Sequence, residues 1–267
     1  MGESPKLSLT FRVDSGVLEH NNRIFKAKNV DADRTSDNIT YKSENLEEKY
    51  HELFDKALDE YNSRKRSNEK IHDYYEHIRK GKQEKPFYEV VVQFGDISSC
   101  GLRSSNWETA KQMLDEYMRS FEDRNKNMKV FNAVLHLDEA TPHLHIDYIP
   151  VAKNYETGMS VRNGYNKALE QMGFTGNDGF KKWRKNERDI LRTLCGRYGL
   201  DPKSEDEEEE SRGHTYKPRQ YREMMREAEM KAAEIIKKAK IEAEEIKKEA
   251  RDEAKRILQN AKSKVIE

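Results

Sequence analysis

The sequence is poor in the features that mark several large protein classes. It holds only two cysteines, Cys100 and Cys195, far apart and without metal or redox spacing. A disulfide scaffold is therefore excluded, and a reduced cytosolic setting with incidental thiols is expected. No apolar run approaches the roughly 18 residues needed to span a bilayer. The opening Met1-Gly-Glu-Ser-Pro lacks the basic-then-apolar pattern of a secretion signal. A soluble, cytoplasmic protein with no membrane span is expected. Net charge is also missing: 50 basic residues balance 50 acidic ones. An overall pull toward polyanions is thus absent, and any argument for nucleic acid must rest on local clusters.

What is present is organised in blocks. Leu7, Leu9, Phe11 and Val13 alternate with polar residues, as in a half-buried strand. A polar segment over residues 14–38 follows, then a short strand at Ile39–Lys42. Residues 44–80 read as one or two helices, with Leu46, Tyr50, Leu53, Phe54, Ala57, Leu58 and Tyr61 as an apolar stripe that the basic run at Ser63–Ser67 breaks. Phe87–Phe94 is strand-like. A helix is expected from Asn106 to about Asn125, two strands flank residue 140, and a helix runs from Phe180 to about Tyr198. This order predicts an α+β fold over residues 1–200: an antiparallel sheet with helices packed on one face and the other face open. Asp201–Glu210 carries seven acids in ten positions, which marks a linker over residues 201–217.

Residues 218–267 are almost free of glycine and proline. Their apolar set, Ala228, Ala232, Ile235, Ala239, Ala243, Ile246, Ala250, Ala254, Ile257, Ala261 and Val265, advances in steps of four, three and four. That is an 11-residue repeat at about 3.67 residues per turn, which predicts a long C-terminal helix with a weakly right-handed seam. It suits a coiled coil, as a homodimer or with a partner protein, or a lone charged helix held by Glu–Lys pairs.

The chemistry concentrates in His136-Leu-Asp138-Glu139-Ala-Thr-Pro142-His143-Leu-His145. Strand-forming residues flank it on both sides. His143 and His145 are two apart and leave the same face of one strand, while His136 ends its neighbour. Three converging imidazoles make a divalent-metal site with positions left open for substrate. Two histidines on one strand face also suit a solvated sheet surface, but a third histidine and two adjacent carboxylates favour the metal. Asp138 and Glu139 can accept hydrogen bonds from the imidazoles or supply a ligand.

At these residues the sequence resembles the Mob/Pre (MobV-type) plasmid mobilisation relaxases, within the group of HUH endonucleases. His20-Asn21-Asn22-Arg23-Ile24-Phe25 is similar to that family's first motif, and Asn29–Asn38 loosely to its second. The resemblance implies a relaxase that binds plasmid origin-of-transfer DNA, single-stranded or as a hairpin, and nicks one strand by metal-assisted transesterification. It implies a covalent 5′-phosphate link to His20. Tyr41 is the alternative nucleophile, because many HUH nucleases use tyrosine. It places Arg23 and Glu139 with His20 in the catalytic group and the metal on His136, His143 and His145. Mn²⁺ or Mg²⁺ is implied, although imidazoles also suit Zn²⁺. Asn21 and Arg34 are expected on the DNA, with Arg23 and Arg34 gripping phosphate oxygens. So are Lys181, Lys182, Arg184 and Lys185, which interleave with Phe180 and Trp183; the aromatics themselves are expected in the core. Three rivals stand beside this reading: a catalytically inactive DNA-binding or scaffold protein, a rolling-circle replication initiator, and a zinc hydrolase using Glu139 as its base.

Overall fold

In the computed structural model the strands assemble into one antiparallel sheet that is helix-covered on one face and divided in character on the other. The structure describes residues 6–25, 27, 29–204 and 207, together with 237, 238, 243, 244, 246–248, 250 and 251. The chain divides into two compact units, residues 1–208 and 209–267.

In chain order the first unit contains β1 (Leu9–Asp14), α1 (Leu18–Asn21), β2 (Ile39–Ser43), α2 (Leu46–Asn62), α3 (Tyr74–Lys80), β3 (Tyr88–Phe94), α4 (Ile97–Cys100), α5 (Trp107–Arg119), α6 (Phe121–Arg124), β4 (Met128–His136), β5 (His143–Ala152), β6 (Arg162–Asn163), α7 (Tyr165–Gln171) and α8 (Gly179–Arg197). The strand order is β1-β3-β5-β4-β2, and β6 pairs with the end of β5. Residues 7 and 201–203 close the unit: the Leu7 N–H donates to the Asp201 carbonyl and the Lys203 N–H to the Leu7 carbonyl.

All ten residues of β5 are buried, so both faces of this central strand are covered. Leu144, Ile146 and Tyr148 point into the main core with Phe11, Val90, Val92, Met113, Leu114, Tyr117 and Trp183. The expectation of helices on one face holds for α5, α7 and α8, which pack there. A second group covers part of the opposite face. Tyr50, Phe54, Ala57 and Leu58 of α2 and Tyr74 and Ile78 of α3 bury Phe131, Ile149 and Val151. The Asn45 side chain caps α2 by accepting from the Glu47 and Glu48 N–H groups. The break after α2 falls at the basic run, as expected. A bulge in β4 between Val130 and Asn132 sets Phe131 into this second cluster, while Asn132 pairs with Asp147.

Of the acidic stretch only residues 201–204 and 207 are described, and most of the 11-residue repeat lies outside the described residues. Of the repeat's seam, Ala243, Ile246 and Ala250 are described; they are helical and exposed. Among the described residues no helix is long and apolar enough to cross a membrane.

Candidate active site

The sheet register brings the three histidines together. His136 pairs directly with His143, and Val134 with His145. The ring centroids of His136, His143 and His145 lie 4.6–5.1 Å from one another. His136 is fully buried and the other two nearly so.

Each ring has one nitrogen committed elsewhere. His136 Nε2 lies 2.8 Å from the Asn21 carbonyl, His143 Nδ1 lies 2.9 Å from the Thr141 carbonyl, and His145 Nδ1 lies 2.6 Å from Glu89 Oε1. Carbonyls and carboxylates only accept, so each of these nitrogens carries the proton. The remaining lone pairs belong to His136 Nδ1, His143 Nε2 and His145 Nε2. The first two face each other at 3.3 Å. His145 Nε2 is buried without a hydrogen-bond partner. Two sets here bring their ligand atoms within 4.8 Å of one another, His136 with Glu139 and His143, and His136 with His20 and His145, and with an orphaned buried nitrogen at His145 these donors fit a divalent cation. Burial pushes His136 down to about 2 and lowers His143 as well, and the neighbouring imidazoles add to both shifts. Both rings are therefore neutral at physiological pH, as ligands must be. Glu139 Oε1 lies 3.6 Å from His143 Nε2 and 3.9 Å from His136 Nδ1, within reach of the same centre.

His20 completes the cluster from α1. Its ring sits 5.6 Å from that of His136 and 5.7 Å from that of His145. Unlike the other three it keeps about a quarter of its side-chain surface open (27%), and Glu139 Oε1 is 3.8 Å from its Nε2. Partial burial lowers its pKa, with Arg23 and His145 adding repulsion, so the ring is unprotonated near neutrality.

The polar segment over residues 20–38 wraps the β4–β5 connection. Arg23 adopts a left-handed backbone (φ 57°). That turns its guanidinium inward, where Nε donates to Asp138 Oδ2 at 2.9 Å and Nη2 to Asp138 Oδ1 at 2.6 Å and Glu139 Oε1 at 2.8 Å. The Asp138 side chain is fully buried and that of Arg23 nearly so. Burial opposes ionisation of Asp138, but Arg23 and Asn38 outweigh it and hold the carboxyl well below its usual range. Removing one member of such a pair typically costs about 3–5 kcal/mol. Arg34 donates from Nε to Asp31 Oδ2 at 2.9 Å, from Nη1 to the Leu137 carbonyl at 2.5 Å and from Nη2 to the Glu139 carbonyl at 3.1 Å. Asn38 clamps the same connection, donating to Asp138 Oδ2 and accepting from the Leu137 N–H.

Several expectations need correction. In this structure Arg23 is engaged with Asp138, Glu139 and the His20 carbonyl, and Arg34 with Asp31 and the Leu137 and Glu139 carbonyls, so both guanidiniums serve the site's internal bonds. Asn21 is buried, not on a DNA-facing surface; its amide donates to Glu89 Oε1 at 2.8 Å and Asp147 Oδ2 at 2.9 Å. Tyr41 belongs to the helix-covered side of the sheet, where its hydroxyl donates to Asp115 of α5 at 2.8 Å. Burial and that carboxylate raise its pKa strongly. Trp183 is core, as expected, with its Nε1 donating to Asn125 Oδ1 at 2.7 Å. Lys181, Lys182, Arg184 and Lys185 share α8 with it, across the sheet from the histidines, and Lys182 pairs with Asp178. The structure does not bring them to the site.

Glu89 and Asp147 escaped the sequence reading. Both are buried beneath the histidines, and Asn132 Nδ2 and Asn21 Nδ2 converge on Asp147 Oδ2 at 2.8 and 2.9 Å. Burial pushes Asp147 up to about 6 against those hydrogen bonds. A signal existed for each. Asp147 continues the two-residue alternation of His143 and His145, and Glu89 is the one charged residue in its strand, Tyr-Glu-Val-Val-Val-Gln-Phe.

Comparison with known proteins agrees with the motif. No curated protein matches the chain. Among solved structures, the MobM relaxase domain (MOBV; Mob_Pre), bound to plasmid pMV158 origin-of-transfer DNA with manganese at pH 5.5, is 16% identical with a TM-score of 0.44. It covers 75% of this chain and 92% of that one. The same domain at pH 4.6 is 16% identical with a TM-score of 0.43, covering 73% and 90%. The family model described as plasmid recombination enzyme matches residues 23–193, well over half of the sequence. The chain belongs to the Mob_Pre family of plasmid recombination enzymes.

Proposed function

We propose that the protein is a relaxase that binds origin-of-transfer DNA and nicks one strand by transesterification, with His20 as nucleophile. The observation that carries this reading is the placement of His20: a partly open imidazole packed edge-on against His136 and His145 in a cluster of buried histidines. His136, His143 and His145 each have an acceptor fixing the far nitrogen, which suits ligands. Among the described residues no acceptor holds the His20 ring in that way, which suits a group that must turn toward substrate. His136, His143 and His145 would hold a divalent cation, which would supply charge neutralisation at the scissile phosphate. Mn²⁺ or Mg²⁺ is the reading adopted, with Zn²⁺ the competitor that imidazoles also suit.

The protein's own groups do the rest. The unprotonated nitrogen of His20 attacks phosphorus, and an N–P bond forms as the P–O3′ bond breaks. The 3′ oxygen leaves and takes up a proton as a free hydroxyl. Loss of the ring N–H proton leaves a phosphoramidate on the 5′ end, and the reverse reaction rejoins the strand. Glu139, 3.8 Å from His20 Nε2, balances the positive charge that attack places on the ring. Burial, with Arg23 second, lowers the pKa of the resting ring, and Arg23 also fixes Asp138 and Glu139; it is a positioning residue.

The test is a nicking assay on supercoiled plasmid carrying the cognate origin, with the covalent adduct followed on a denaturing gel. His20→Ala should lose the adduct and at least about 10³-fold in rate, the scale of removing a nucleophile, while Tyr41→Phe should match wild type. An adduct that survives His20→Ala overturns the assignment, and a wild-type protein that never nicks its origin returns the scaffold reading.

A further inference from the structure

We infer that Phe25, seconded by Ile24, is a stacking platform for an unpaired DNA base next to the scissile phosphate; the inference rests on the relaxase reading. Large apolar side chains left exposed are few among the described residues: Val17, Ile24, Phe25, Ile97, Leu102 and Ile246. Half of them fall within five residues of His20. Ile24 is 78% exposed and Phe25 64%, far beyond what an aromatic or a β-branched residue shows when it serves packing.

The local backbone explains why they stand out. The His20 and Asn21 N–H groups donate to the Val17 carbonyl, the Arg23 N–H to the His20 carbonyl, and the Phe25 N–H to the Glu19 carbonyl at 2.9 Å. The segment is thus closed on itself and held against the nucleophile's own helix. The left-handed turn at Arg23 carries that side chain down to Asp138, and the chain leaves the turn with the next two residues in solvent. One reversal fixes the site from below and presents an apolar pair beside it.

The occupant follows from what must lie there. A phosphate held against His20 brings its adjoining nucleotides within one or two steps of this segment. On the relaxase reading the origin strand is single-stranded at the nick, so its bases expose π-faces that seek an aromatic surface. Phosphates cannot be the partner of Phe25 and Ile24, since neither offers a donor. The interaction is therefore with the base and is tolerant of its identity.

The discriminating experiment needs no cleavage and no knowledge of the origin. Binding of the full chain is measured at one fixed salt concentration to two 12-nucleotide single strands of equal charge: oligo-dT, and an abasic strand with the same phosphates. Wild type should prefer oligo-dT. Phe25→Ala should lose about tenfold on oligo-dT, the scale of one stacked base, and nothing on the abasic strand. Ile24→Ala should lose less, and Phe25→Trp should restore the preference. Equal losses on both strands, or none on oligo-dT, overturn the platform. Because the readout is binding, a failure of the nicking assay would sink the relaxase reading and leave this result to be read separately.

Discussion

One face of the central sheet has two halves, and they obey different chemistry. Along β5 the odd positions run His143, His145, Asp147, Ile149 and Val151, all on the face away from the main core and all buried. At one end they are titratable and meet His136, Glu89, Asn21 and Asn132. At the other they are aliphatic and meet Tyr50, Phe54 and Phe131. Burial is the same; only the cover differs. The apolar half lies under two amphipathic helices that bring carbon. The polar half lies under a hydrogen-bonded segment that brings carbonyls and amides. A buried polar group survives only where its cover can satisfy it, so the wrapping over residues 20–38 is what allows histidine and carboxylate to sit inside this sheet.

Substitutions in the two halves should separate stability from chemistry. The largest effect is expected in the apolar half. Phe54→Ala removes a fully buried ring and should cost about 3–5 kcal/mol in urea unfolding, with the nicking rate per folded molecule unchanged. A comparable loss of specific activity would mean that the halves are not independent. Next is a pH effect in the polar half. The carboxyl of Asp147 titrates at about 6 when folded, above its unfolded value near 3.8. The folded state therefore holds that proton more tightly, and its contribution is full below pH 4 and lost as pH rises through 6. Relative to Asp147→Asn, wild type should lose about 2 kcal/mol of stability between pH 4 and pH 7. A difference that stays flat with pH would show that hydration or an unseen partner satisfies the carboxylate. The smallest expected effect is Glu89→Gln, which weakens the acceptor behind His145. Calorimetric titration with Mn²⁺ should show an affinity lowered about ten- to a hundredfold, and an unchanged affinity would remove His145 from the ligand set.

The same division explains what was readable from sequence. The alternation in β1 and β5, the stripe of α2 and the buried face of α5 are local patterns with fixed periods, and each appeared within a few residues of its expected bounds. The convergence of His136, His143 and His145 was equally local, since it needs only a hairpin. What escaped were destinations set by distant partners. Nothing near Arg23 announces that its fork will close on Asp138, 115 positions later, so a cation in a polar loop looks like a phosphate grip. Asn21 looks solvent-facing until Glu89 and Asp147 are folded beneath it. Tyr41 sits in the right part of the chain, but the strand carrying it turns that residue toward α5. The second helical cover was missed because an amphipathic stripe says that a helix has a buried face without saying on which side of the sheet it lands.

The wrapped connection also carries a timetable. His20 leaves the ribosome early and the last of its histidine neighbours, His145, 125 residues later, an interval of about 6–25 s at ordinary rates of synthesis. Until the β4–β5 hairpin emerges, Arg23 has no Asp138 or Glu139 to close on and His20 lacks the full set of histidines it faces. A nascent or truncated chain therefore holds His20 without its neighbours, and on the relaxase reading any capacity to cut DNA comes only with a finished sheet.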